Sequence, residues 1–199
     1  MKKTPQEFRR ENVKELFKKV LNTQAIKLAP YDISVKESWN SDFTVVDLAI
    51  NELAGDVQSR REIREDKAKG FVDGMFKACH GQYVETHSSL NNIELVDYQV
   101  KPKFNKSKGT MGSDAETEVT LMVQVRDHGV AEFSCTSRSI LYSSFVATLE
   151  AFQFYINCDK SFRKIKLILQ DAQARNRGDI EQLCISELAM LTDVNTYGK

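Results

Sequence analysis

The 199 residues contain no apolar run approaching the length of a membrane span. The first twelve, MKKTPQEFRREN, lack the apolar stretch of a secretory leader. There is no excess of either charge: Lys plus Arg and Asp plus Glu are both 28. A chain with zero net charge is not built to hold long nucleic acid by its field, and nothing electrostatic opposes its self-association. There is no C-x-x-C. Cys79, Cys135, Cys158 and Cys184 are scattered singly, as buried thiols in a reducing cytosol are, so the expected location is cytoplasmic. Also missing are the G-x-S-x-G elbow, the Walker loop, the G-x-G-x-x-G fingerprint and any H-x-H or H-E-x-x-H pair. His80, His87 and His128 match no zinc spacing, even with Cys79 beside His80. No activated nucleophile or acid–base pair is visible. The expectation is therefore a protein that is not an enzyme, with no metal, cofactor, nucleic acid or membrane.

What is present is a 41% hydrophobic chain with a legible order of elements. Thr4, Pro5 and Glu7 make a helix start with a capping box, and Val13, Leu16, Phe17, Val20 and Leu21 form one apolar stripe. The period then changes. Tyr31, Ile33 and Val35 alternate with polar residues, as in a half-buried strand. Residues 43–53 read as a second strand. SRREIRED, residues 59–66, reads as a charged edge strand with cross-strand ion pairs. A short helix over about 72–80 follows Gly70.

The same order then returns. ELVDYQVKPKF, residues 94–104, is a strand. EVTLMVQVRD places Val119, Leu121, Val123 and Val125 on one face, and Asp127-His128-Gly129 turns the chain into an antiparallel GVAEFSCTS. A helix over about 139–157 buries Ile140, Leu141, Ser144, Phe145, Leu149, Phe152 and Ile156, with Ser143 and Ser144 as small residues that let it approach the sheet. The unit strand-strand-strand-helix is thus written twice, in pattern more than in residue identity. At the C-terminus, Ser161 is expected to cap a helix carrying Phe162, Ile165, Leu169 and Ala172. Gly178 breaks it, and Asp179 and Gln182 form a capping box ahead of Ile180, Leu183, Cys184, Leu188 and Leu191, giving a helical hairpin. The fold class is α+β: two such units with pseudo-twofold symmetry, antiparallel sheets on helices. The division is a helix at 1–23, a body at 24–158 and a hairpin at 159–199. Four lysines around Phe104, in KPKFNKSKG, suggest a solvated loop; a phosphate-binding loop would need a second basic patch.

Over residues 31–157 this combination resembles the C-terminal regulatory domain of 2-isopropylmalate synthase and the related citramalate and homocitrate synthases. KGFVDGMFKA, residues 69–78, is similar to that family's Gly-Pro-Val-Asp-Ala helix start. Leu95, Asp97 and Tyr98 match its Leu-x-Asp-Tyr, Gly112, Asp114 and Ala115 its Gly-x-Asp-Ala, and SRSILYSS, residues 137–144, its last helix start. The resemblance implies a stand-alone regulatory and dimerisation domain: a homodimer that binds a branched-chain amino acid in leucine or related biosynthesis and attaches to a separate synthase subunit. The effector site it implies comprises Gly70, Val72, Asp73, Tyr98, Ala115 and Ile140, with backbone N–H groups at a helix start receiving a carboxylate. Phe71 stands where the family has proline, Ser139 where it has aspartate, and FSCTSRS lacks the family's glycines. The catalytic barrel, of roughly 250 residues, and its H-x-H have no counterpart, so the synthase reaction is not expected of this chain. The alternative is a purely structural dimeric module whose pocket has decayed.

Overall fold

The computed structural model describes residues 5–37, 40, 42–103 and 116–197. Helix α1 (Pro5–Val20) leads through a short 3-10 turn (Asn22–Gln24) into the meander β1 (Ile26–Glu37), β2 (Thr44–Ala54) and β3 (Val57–Ala68), then helix α2 (Phe71–Tyr83). A second 3-10 turn (Ser88–Asn92) opens the second meander, β4 (Ile93–Lys103), β5 (Glu116–Val125) and β6 (Gly129–Ser137), followed by α3 (Ile140–Ala174) and α4 (Gly178–Thr192). Each meander is its own three-stranded antiparallel sheet, in the order β1-β2-β3 or β4-β5-β6. This is the expected α+β duplication of strand-strand-strand-helix, with an N-terminal helix and a C-terminal helical pair.

The expected apolar faces form the core. Val46, Leu48 and Ile50 of β2, and Val119, Leu121, Val123 and Val125 of β5, are at most 2% exposed. They lie under α2 and α3, where Phe76 and Phe152 meet at 5.0 Å between ring centroids. Val13, Leu16, Phe17 and Leu21 bury the stripe of α1 against α3 and α4 of the same chain. The charged strand β3 is a sheet edge, and Arg61–Glu52 and Arg64–Asp47 are cross-strand ion pairs. Thr4 of the expected capping box lies outside the described residues.

The duplication reaches further than the sequence pattern. The first strand of each sheet carries one extra residue in its register, between Pro30 and Asp32 in β1 and between Leu95 and Asp97 in β4. In both, the following aspartate turns back on its own strand: Asp32 Oδ1 accepts from Ile33 N at 2.9 Å and Asp97 Oδ1 from Tyr98 N at 2.8 Å. A bulge re-aims the side chains around it. Tyr31 is accordingly not part of the inward face with Ile33 and Val35; it is the extra residue, 54% exposed, with the Arg60 guanidinium 3.5 Å from its ring centroid. The two helix starts also correspond. Gly74 and Ser143 each sit four residues after the cap, and their N–H groups donate to Gly70 O and Ser139 O at 2.9 Å. A Cβ on Gly74 would lie 2.5 Å from Val46 Cγ2, so glycine is what permits that approach of helix to sheet.

The C-terminal half departs from expectation. Ser161 caps no helix: α3 runs unbroken for 35 residues through it, and the apolar faces on either side of position 158 are one continuous stripe. Ser161 is fully buried in that stripe, and its hydroxyl has no hydrogen-bond partner among the described residues. The break before α4 is made by Asn176, at φ 56° in the left-handed region that asparagine tolerates. Gly178 is already the first residue of α4. Its N-cap is Arg177, without a side-chain cap, so Asp179 and Gln182 form no capping box; Asp179 instead pairs with Arg177 at 3.3 Å. Ile140, at the exposed first position of α3, and Leu183, on an outer flank of α4, are 42% and 47% exposed and belong to no core.

Two substitutions on α3 are expected to move stability in opposite directions. Asn157 Oδ1 accepts from Ile26 N at 2.8 Å and its Nδ2 donates to Ile26 O at 3.0 Å. Asn157→Leu should cost about 2–4 kcal/mol in urea unfolding, because both backbone groups stay buried without partners. Ser161→Ala should stabilise by about 0.5–1 kcal/mol, through better helix propensity and loss of an unpaired buried hydroxyl. A loss on Ser161→Ala would refute the reading of that hydroxyl as unpaired.

Candidate functional site

Three chain segments converge where α2 begins. Gly70 is the N-cap, with φ −179° and ψ 169°, an extended conformation open to any residue. Nothing lies within 4 Å of where its Cβ would be. Glycine at this position thus serves no backbone need and leaves the helix start uncovered. Asp73 follows in the first turn. Its Oδ2 accepts from Lys69 N at 3.0 Å and pairs with Lys77 Nζ at 2.8 Å, one helical turn on. Partial burial raises the Asp73 pKa, but the hydrogen bonds from Lys77 and from the Lys69 N–H outweigh it and hold the carboxyl below its usual value. The site's own carboxylate thereby occupies part of the positive end of α2.

Between these two residues Phe71 reaches across to the second unit. Its ring meets Tyr98 of β4 edge-on, 6.1 Å between centroids at 87°. The Tyr98 hydroxyl lies 3.0 Å from Ser144 Oγ, and Ser144 Oγ donates to Ile140 O at 2.7 Å. Ser144 has one hydroxyl hydrogen and gives it to that carbonyl, so Tyr98 is the donor. A relay runs from Tyr98 O–H through Ser144 to the first turn of α3. The hydroxyls of Ser144 and Ser143 are buried; Ser143 Oγ is 2.7 Å from Ser137 Oγ. Val72 is 9% exposed behind Phe71, while Ile140 and Tyr142 at the start of α3 and Val100 of β4 are part-exposed apolar side chains.

Of the six positions expected to form the site, the start of α2 with Gly70, Val72 and Asp73, the strand residue Tyr98 and the helix start at Ile140 are thus linked through Phe71 and Ser144. Asp73 points to Lys69 and Lys77. Ala115, with Gly112 and Asp114, lies outside the described residues, as does most of the lysine-rich loop. The one described lysine of that loop with a pairing, Lys103, bonds Glu118 at 3.3 Å and Thr136 at 3.1 Å. The part of Ser144 in the relay was legible only as a small residue on a buried helix face. Its signal was a tyrosine in the inward phase of β4 opposite a helix that offers hydroxyls instead of methyls.

The histidines have other work. His87 Nδ1 lies 2.8 Å from Asp159 Oδ2, which also pairs with Arg163 at 2.7 Å, and Arg163 donates to Thr86 O at 2.7 Å. This pins the loop after α2 to the middle of α3. His128 bonds Thr196. Among the described residues no group of three His, Cys, Asp or Glu side chains is placed to hold a metal ion, and no helix is long and apolar enough to cross a membrane.

The shifted Asp73 carboxyl makes a signed prediction. A group whose folded pKa is depressed stabilises the fold above its unfolded value, about 4, and that contribution disappears as pH falls through the folded value. Asp73→Asn should therefore flatten the acid side of the stability–pH curve below about pH 4 by no more than roughly 0.5 kcal/mol, since the pair is solvent-screened. Urea midpoints between pH 2 and pH 6 (roughly the carboxylate range) measure it; an unchanged acid limb would contradict the assignment.

No known protein family's profile matches this chain, and no curated protein matches it.

Proposed function

We propose that this protein is a stand-alone regulatory and dimerisation domain of the 2-isopropylmalate synthase type. It acts in the cytosol as a homodimer, catalyses no reaction itself, and attaches to a synthase subunit carried on a separate chain. The observation that carries this reading is the convergence of both helix starts on Tyr98 within a duplicated strand-strand-strand-helix fold. It is the arrangement that the resemblance in residues 69–78, 95–98 and 137–144 implies. The part-exposed apolar side chains Val100, Ile140 and Tyr142 beside it supply a surface for the second subunit. Four unpaired thiols support a reducing compartment.

The effector of this reading is a branched-chain amino acid, seated over the open Gly70 helix start with its apolar side chain toward Val72 and Ile140. A specific observation favours the alternative, a purely structural module. The Phe71 ring sits edge-on against Tyr98, and Asp73 already takes the Lys69 N–H, so both the apolar and the anionic parts of such a seat have internal occupants.

Light scattering should give a mass about twice the 22.7 kDa of one chain at micromolar concentration; a monomer would sink both readings. Thermal shift with leucine, isoleucine, valine and lysine separates them, because a ligand that binds only the folded state raises the midpoint. The regulatory reading expects a rise with a branched-chain member that is lost in Gly70→Leu, which fills open space without straining the backbone. No rise with any of the four leaves the structural module.

A further inference from the structure

The segment after α4 has no regular secondary structure over residues 195–197, yet it is held at every residue. Asn195 N donates to Leu191 O at 3.2 Å, and the Asn195 side chain is fully buried. Thr196 makes three hydrogen bonds to the body. Its backbone O accepts from Asn92 Nδ2, at the end of the second 3-10 turn, at 2.8 Å. Its Oγ1 donates to Arg126 O at 3.0 Å and must therefore accept from His128 Nε2, also at 3.0 Å. Tyr197 lies flat on Phe162 of α3, 4.0 Å between ring centroids at 5°. These partners come from three places far apart in the chain: the 3-10 turn, the β5–β6 turn and the middle of α3. Together they form a groove with one slot for a hydroxyl and the next for an aromatic ring.

Fixing an irregular segment costs backbone freedom at each residue, so it stays in place only where specific partners hold it. Here those partners address side chains. A hydroxyl used as both donor and acceptor, followed by a ring on a parallel face, is the kind of readout by which grooves select peptides. Valine at 196 would match threonine in shape but take the partner from both the His128 N–H and Arg126 O, and a polar slot rejects such an isostere. The fit has one flaw. Asn195 Nδ2 is buried with no hydrogen-bond partner among the described residues, and a buried donor left unpaired is costly. The segment is thus held firmly at 196 and 197 and poorly at 195, which makes it displaceable by a sequence without that amide.

We propose that this groove is a recognition site for a Thr-Tyr segment of another protein chain, closed in this chain by its own residues 195–197. The partner is an irregular peptide stretch that carries threonine with its hydroxyl free, followed directly by tyrosine. The tethered segment competes at the millimolar local concentration of a short linkage, so the groove opens to a partner that fits better or is itself held close. The site shares no residue with the Tyr98 junction and stands whether or not that junction binds an amino acid.

Fluorescence anisotropy with a labelled peptide of residues 192–199 tests it. The opened form is the full chain carrying Thr196→Gly and Tyr197→Gly, which empties both slots and leaves the groove walls intact. The peptide should bind it saturably, and at least about tenfold more tightly than it binds the wild-type chain, whose groove is filled. Peptides with Thr196→Val or Tyr197→Ala should bind about tenfold more weakly or not at all. In the opened chain Phe162→Leu should weaken binding, and Gly70→Leu should leave it unchanged. Circular dichroism checks folding; if the double variant does not fold, Tyr197→Ala alone takes its place. The proposal is overturned by no saturable binding to the folded opened chain up to about 1 mM, by altered peptides that bind as well as the parent, or by a wild-type chain that binds as tightly as the opened one.

Discussion

The edge of β1 is completed by a helix. Ile26 and Leu28 begin an edge strand, and the N–H groups on their open side have no strand to meet. Asn157 of α3 takes both backbone groups of Ile26, and Gln153 Oε1 accepts from Leu28 N at 2.8 Å. The geometry permits this because four residues of helix rise about 6.0 Å and two residues of strand about 6.8 Å. Two amides one turn apart can therefore address alternate residues of a strand. An unpaired edge also invites pairing with another chain, so the same two side chains satisfy the backbone and cover the start of that edge.

With β1 fixed to it, α3 belongs to both sheets. It packs on β1 of the first and on β5 and β6 of the second, so two three-stranded sheets, which share no strand pairing among the described residues, become one body. Each sheet has an apolar face that must be covered by another element, and here helices cover both. This explains why α2 must approach the first sheet closely enough to require Gly74, and why Ser143 and Ser144 are small. Both helix starts are thereby brought to the same junction, where Phe71 and Tyr98 meet across the units.

Much of this was readable from residue order. Alternation found β1 and β5, charge marked β3 as an edge, the apolar stripe found α1, and the duplicated pattern predicted the two units. What escaped had physical reasons. The bulges at Tyr31 and Val96 shift phase by one residue in strands that remain half-polar on either side, so alternation carries no mark of them. Ser161 looked like a cap because hydroxyls favour caps, yet tertiary burial outweighed that local preference. Asn157 read as a helix end for the same reason, and it is the residue that locks β1. A polar side chain in the buried phase of an otherwise apolar helix was the available signal, and Gln153 one turn earlier repeats it. At the candidate site the helix start and Tyr98 were legible as positions, but the Asp73–Lys69 contact follows from how the chain enters α2.

The length of α3 has one further consequence. Ser144 and Phe154 are ten residues apart on it, about 15 Å at 1.5 Å per residue, so the Tyr98 junction and the ring cluster of Phe133, Phe154 and Tyr155 are mounted on a single rod. Phe145 near one place and Tyr155 near the other are fully buried, and close-packed interiors do not deform smoothly. A signal between the two ends can travel only if α3 moves as a body against the sheets, and every such movement must break the Asn157–Ile26 pair or carry β1 with it. The interaction that joins the sheets is therefore also the one that decides whether the two ends of the helix are independent.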